Sequence, residues 1–198
     1  MSDRNPTDPR LSGADHDERD ALNRRLHQMS QEQFERQMTQ AMRLLTQGKG
    51  KEAIPLLERC FRLRPDDVDV LTNLGGAYIL AGRHKQAIPI LERATELAPD
   101  NPAVWSNLAA AYLGKLVTAT SERQQRALAA YRRVIEIDPA YPNVHYHIGL
   151  IHIDRREWDD AHAAFTRALQ TNPHDEDART MRDRVSEIRD QPPTPLNN

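Results

Sequence analysis

Cysteine is almost absent from this chain. Cys60 is the only one in 198 residues, which excludes an intramolecular disulfide framework. It stands at a small-residue position of a recurring pattern, as a buried structural thiol would. Aromatic residues are scarce at 5%, and hydrophobic residues reach only 38%. That is lean for a thick globule and suits a thin two-layer stack built on Ala and Leu. No apolar run approaches the roughly 20 residues of a membrane-spanning helix. Charge of one sign is also lacking: 27 Lys and Arg face 29 Asp and Glu, a net of −2. Neither nucleic acid nor an anionic membrane is therefore expected as a partner. Lys occurs only at 49, 51, 85 and 115, and the excess of Arg suggests a GC-rich bacterial genome. Residues 1–20 have no apolar h-region, so no signal peptide is expected and the expected setting is cytoplasmic.

Catalytic signatures are missing too. The chain has no His-Glu-x-x-His, phosphate loop, dinucleotide glycine fingerprint or nucleophile elbow. It is expected to be no enzyme, with no catalytic residue and no cofactor. His145, His147, His152 and His162 cluster in sequence, but His145 and His147 point about 200° apart on a helix. No i, i+4 His pair exists and no second Cys is available, so no metal site is expected.

What the chain does have is a repeat. Pro65, Pro99, Pro139 and Pro173 each close a copy of one helical pattern, 34, 40 and 34 residues apart. The second copy reads Leu71, Leu74, Gly75, Tyr78, then Ala87, Leu91, Ala94 and Pro99. The third reads Trp105, Leu108, Ala109, Tyr112, Ala127, Tyr131, Val134 and Pro139. The fourth reads His145, Ile148, Gly149, His152, Ala161, Phe165, Ala168 and Pro173. The first is weakest, with Gln37, Gln40, Ala41 and Leu44 before Ala53, Leu57, Cys60 and Pro65. Residues 34 to 175 thus resemble the tetratricopeptide repeat (TPR) family, whose unit is a helix–turn–helix of about 34 residues.

The pattern has a physical reason. Ala41, Gly75, Ala109 and Gly149 let the two helices of a repeat approach closely, as do Ala53, Ala87, Ala127 and Ala161 from the second helix. Large residues fill the spaces between repeats. Each proline stops a helix and pushes its predecessor out of the α region. Pro55 and Pro89 are expected near the first turn of a second helix, where a lost hydrogen bond costs less. His145 and His152 fill the Trp and Tyr positions and are expected in the core.

The resemblance implies an all-α fold, a right-handed TPR superhelix. The expected divisions are a disordered segment 1–14, a helical extension 15–33, repeats 34–67, 68–101, 102–141 and 142–175, a capping helix 176–190 and a disordered tail 191–198. Leu22, Leu26 and Met29 share one helical face, and Ser30 with Gln33 resembles a capping box. Ala178, Met181, Val185 and Ile188 form a narrow apolar stripe with a charged back, as a terminal solvating helix would.

In this family the first helices line a concave groove. The resemblance places Met38, Met42, Thr72, Asn73, Gly76, Ile79, Ser106, Asn107, Ala110, Leu113, Tyr146, His147 and Leu150 on it. Asn73 and Asn107 hold equivalent positions, and their amides could hold the backbone of an extended ligand; bonding across repeats is the alternative. One TPR subclass clamps the C-terminal carboxylate of heat-shock chaperones with groove Lys and Arg. Here Thr72 and Gly76, or Met38 and Met42, stand where the clamp's first Lys and Asn would be. Asn143 and His147, or Ala103 and Asn107, replace its last Lys and Arg, so such a role is not expected.

The third repeat carries six extra residues between Leu113 and Arg126. Ser121 and Gln124 resemble a capping box, which predicts that the second helix starts at Glu122. The stretch is a tolerated surface loop or a partner contact. The resemblance implies a scaffold or adaptor that binds a peptide or helix of another protein in the groove. The alternative is a self-associating assembly factor, or an accessory subunit contacting an enzyme complex through the insertion or the N-terminal helix. A homo-oligomer is left open.

Overall fold

The computed structural model describes residues 30–190. The expectations for 1–14, for residues 15–29 of the helical extension and for 191–198 lie outside the described residues. Those described form helices and turns, with no strand among them. Helix α1 covers 30–46. It is followed by α2 (Gly50–Leu63), α3 (Val68–Leu80), α4 (His84–Leu97) and α5 (Pro102–Leu113). A 3-10 turn (Leu116–Thr118) precedes α6 (Ser121–Ile137), α7 (Val144–Asp154), α8 (Trp158–Thr171) and α9 (Glu176–Arg189). Each helix packs chiefly on its neighbours in sequence, and α3 also packs on α5. This is an all-α solenoid, with first helices α1, α3, α5 and α7 and second helices α2, α4, α6 and α8.

The small residues do what their size dictates. Ala41, Ala53, Ala87, Ala109, Ala127 and Ala161 are fully buried. A Cβ on Gly75 would lie 2.5 Å from the Leu91 side chain, and one on Gly149 would lie 2.7 Å from the Phe165 ring. Cys60 is buried beside Phe34 and Val70, and burial pushes its thiol pKa up. Pro55 and Pro89 lie inside α2 and α4, each the sixth helical residue and so one turn deeper than expected. Both face solvent, where the carbonyl freed by the missing N–H can bind water.

Helix starts follow side-chain caps. Asp67 accepts from the amides of Asp69 and Val70, Asn101 from Ala103, and Asp175 from Ala178. In the fourth repeat the equivalent residue is Tyr141, which cannot cap in this way. There α7 starts only after Asn143, whose φ of 64° is left-handed, a conformation Asn tolerates better than most residues. The expected start of α6 at Glu122 also shifts. Its cap is Thr120, which accepts from the Arg123 amide, and the helix begins at Ser121. Gln124 is instead buried and donates from Nε2 to Asp154 Oδ2 at 2.7 Å, tying α6 to the end of α7. Residue 30, the first described, is already helical, so whether the expected box at Ser30 and Gln33 opens that helix lies outside the described residues.

Helix α9 docks on α8 as the first helix of a further repeat would. Ala178 and Val185 are buried, with Met181 packed beside them. The positions that carry Leu74 and Gly75 in the second repeat are Arg182 and Asp183 here, paired at 2.6 Å. A second helix cannot seat against that charged surface, so the stack stops.

Candidate functional site: the face formed by the first helices

The site is built from the exposed strips of successive first helices. Met38 packs partly against Phe34, Cys60 and Val70, while Met42 is 51% exposed. Thr72, Asn73, Gly76 and Ile79 on α3 are half-buried, as are Ser106, Asn107 and Ala110 on α5 and Tyr146, His147 and Leu150 on α7. Leu113 departs from the expectation. It is only 9% exposed and packs with Ala127, Leu128, Tyr131, Val144 and Ile151, so it supports the face from below.

The two asparagines do different things. The Asn73 side chain donates from Nδ2 to the Asp69 carbonyl of its own helix at 2.7 Å. Thr72 likewise donates from its hydroxyl to the Val68 carbonyl at 2.6 Å. Asn107 makes no such bond among the described residues. Its Nδ2 lies 3.9 Å from where a Cβ on Gly76 would sit, an ordinary van der Waals distance.

Toward α9 the face becomes aromatic and acidic. His147 stacks on Tyr131, with ring centroids 5.7 Å apart and planes at 12°. Tyr146 meets His147 edge-on at 5.9 Å and Phe165 edge-on at 5.6 Å. Burial pulls the His147 imidazole pKa below its usual value. A cavity of about 250 Å³ is lined by Asn143, Tyr146, His147, Asp175 and Asp177. Asp177 is not among the residues that the repeat pattern places on the groove, because α9 resembles a terminal solvating helix. Its signal was present: Asp177 stands four residues after Pro173, as Asp69 does after Pro65.

His145 and His152, expected in the core, are both half-buried. His152 Nδ1 lies 2.6 Å from Glu157 Oε2, and Arg155 donates to the other carboxylate oxygen at 2.8 Å. Ligand atoms of His152, Glu157 and Asp160 fall within 4.8 Å of one another. The Arg155 cation already on Glu157 accounts for that carboxylate and opposes a metal ion there. Helix length and composition also exclude a membrane crossing by any described helix.

Comparison with known proteins agrees with this architecture. Profiles described as "Tetratricopeptide repeat" match residues 44–112 and 142–175, and one described as "TPR repeat" matches 121–154. No curated protein sequence matches the chain significantly. Among solved structures, TTC0263, a thermophilic TPR protein of Thermus thermophilus, is 20% identical with a TM-score of 0.66 over 79% of this chain and 83% of that one. MamA is 22% identical with a TM-score of 0.64, covering 75% of this chain and 84% of that one. The first TPR of Spaghetti (RPAP3), solved with the HSP90 peptide SRMEEVD, is 19% identical with a TM-score of 0.56 over 63% of this chain and 96% of that one. These likenesses establish the fold, and TPR folds generally serve as protein-interaction scaffolds rather than enzymes. The chain belongs to the tetratricopeptide repeat family.

Proposed function

We propose that this chain is an adaptor that holds a peptide or a helix of a partner protein against its first-helix face. The open Asn107 amide beside Gly76 carries the reading: an unengaged donor and acceptor sit where a backbone can approach closely. Met42, Ile79 and Leu150 would supply apolar contact, and Tyr146 and His147 a rigid aromatic end. The RPAP3 neighbour, solved with a chaperone peptide, supports peptide binding on this fold. The chaperone clamp itself is not supported, because Thr72, Asn143 and His147 stand where its Lys and Arg would be, and Gly76 where its first Asn would be. Asp177 at the aromatic end favours a basic ligand residue there.

The test is capture of partners from host lysate with wild type and with an Asn107→Ala, Tyr146→Ala variant shown by circular dichroism to be folded. Asn107→Ala alone should weaken a purified partner roughly three- to tenfold, the net worth of one or two hydrogen bonds. Asn73→Ala should weaken it less. A partner held equally by all variants would place recognition elsewhere. Val117, 85% exposed on the insertion, favours one second reading, contact through that loop. Loss of the partner on Val117→Ser would support it.

A further inference from the structure

A second region of the solenoid gathers cations without counter-charges. The turn between α3 and α4 and the insertion of the third repeat meet around a cavity of about 420 Å³. Its lining includes Arg83, Lys85, Lys115, Arg123 and His84, and no carboxylate. Among the described residues, none of these four Arg and Lys side chains is ion-paired. Two of the four lysines in the whole chain stand here. Like charges drawn together repel one another, and an anion placed among them would relieve that repulsion.

Three further features accompany these cations. The Nδ1 atom of His84, a residue of the lining, is buried and has no hydrogen-bond partner, which costs stability. Gly114 makes the floor: a Cβ there would lie 3.3 Å from the His84 ring and 3.4 Å from the Arg123 guanidinium, closing the space between them. The first turn of α4, whose residues His84 to Gln86 line the cavity, has no side-chain cap at Arg83, and a helix N-terminus favours negative charge.

We propose that this cavity binds a phosphate monoester carried on a serine or threonine of a partner protein. Such a group brings nearly two negative charges and three acceptor oxygens, which matches several convergent donors better than one carboxylate does. A nucleotide or RNA fits less well. No Phe, Tyr or Trp lines the cavity to stack a base, and the net charge of −2 supplies no general polyanion field. The six extra residues of the third repeat thereby acquire a role, because Lys115 comes from the insertion and Arg123 from the helix it leads into.

The proposal is independent of the first-helix face and is tested on the full chain. The probes are acetyl-Gly-phosphoserine-Gly amide, its unphosphorylated twin, inorganic phosphate and AMP, titrated by calorimetry and by backbone amide NMR at low salt. Saturable binding of the phosphopeptide, with shifts at residues 82–86 and 114–123 and none with the twin, is expected. Lys115→Gln and Arg123→Gln should each weaken binding about fivefold or more, since each removes a charge-assisted bond. Lys51→Gln, outside the cavity, and Asn107→Ala should leave it unchanged. Lys115 is exposed, so K115Q keeps the fold even if R123Q lowers stability. The proposal fails if the phosphopeptide does not saturate, or if K115Q binds as wild type does. It also fails if AMP or inorganic phosphate binds as tightly as the phosphopeptide.

Discussion

The Tyr112 hydroxyl donates a 2.7 Å hydrogen bond to Glu92 of the preceding second helix, as the Tyr78 hydroxyl does to Glu58 at 2.9 Å. Burial, the bond and the carboxylate charge together push both phenols up to about 12. Each pair spans 20 residues. The same step back from His152 reaches Arg132, so the third junction lacks the pair, and α7 packs less closely on α6 than α5 does on α4. Tyr112→Phe should cost about 1 kcal/mol in urea unfolding, the net worth of a half-buried bond. The double substitution Arg132→Glu, His152→Tyr should be more stable than its single variants predict by about 1 kcal/mol. Strict additivity would show that the pair cannot form at that junction.

Two neighbouring glycines should respond in opposite directions. Gly75→Ala drives a methyl to 2.5 Å from Leu91 and should destabilise by about 1–3 kcal/mol through overpacking. Gly76→Ala meets only Asn107 Nδ2 at 3.9 Å. It should stabilise by about 0.5–1 kcal/mol, because alanine loses less backbone entropy in a helix. Equal effects in thermal unfolding would refute the assignment of Gly75 to the helix crossing.

Helix α9 should act as a stability element. Val185 is 1% exposed against Ala161 and Phe165. Val185→Ala should cost about 2 kcal/mol, within the range for large-to-small core changes. Ending the chain after residue 175 should lower the melting temperature and promote self-association, because the face of α8 around Phe165 loses its cover. A truncated chain that stays monomeric and equally stable would contradict this.

Stability should fall in mild acid. Burial holds the imidazole pKa values of His84, His145 and His147 below the usual 6.5; Arg123 and Lys115 add to this at His84, and Arg167 at His145. Above pH 6.5 these groups are neutral in both states and cost nothing. As pH falls below 6.5, the unfolded chain takes up protons that the folded chain refuses, so unfolding becomes easier. Glu157, whose pKa His152 and Arg155 hold down, adds its own loss in more acidic solution. His147→Phe keeps an aromatic ring against Tyr131 and should flatten the dependence of melting temperature between pH 7 and 5. An unchanged slope would mean that His147 does not titrate in this way.

Much of the architecture was legible because it depends on side-chain size at fixed helical spacing. Ala53, Ala87, Ala127 and Ala161 could be assigned to helix crossings from the pattern alone, and all four are fully buried. The helix starts were less legible. Thr120 rather than Ser121 caps α6, since both offer a hydroxyl and only the path of the chain selects one. The loss of a cap at Tyr141 could have been read by comparing it with Asp67 and Asn101. That comparison predicts a late start for α7, as observed.

The site divides in the same way. The sequence by itself determined the repeat, its proline stops and the buried small residues. These follow from local periodicity and from the one size that fits a close crossing. Tertiary structure alone decided that Asn73 commits its amide to its own helix while Asn107 keeps its amide open. It alone buried Leu113 and brought Arg83 and Lys85 to Lys115 and Arg123. Those outcomes rest on competition between hydrogen-bond partners and on segments some thirty residues apart meeting in space, which no spacing rule within one helix contains.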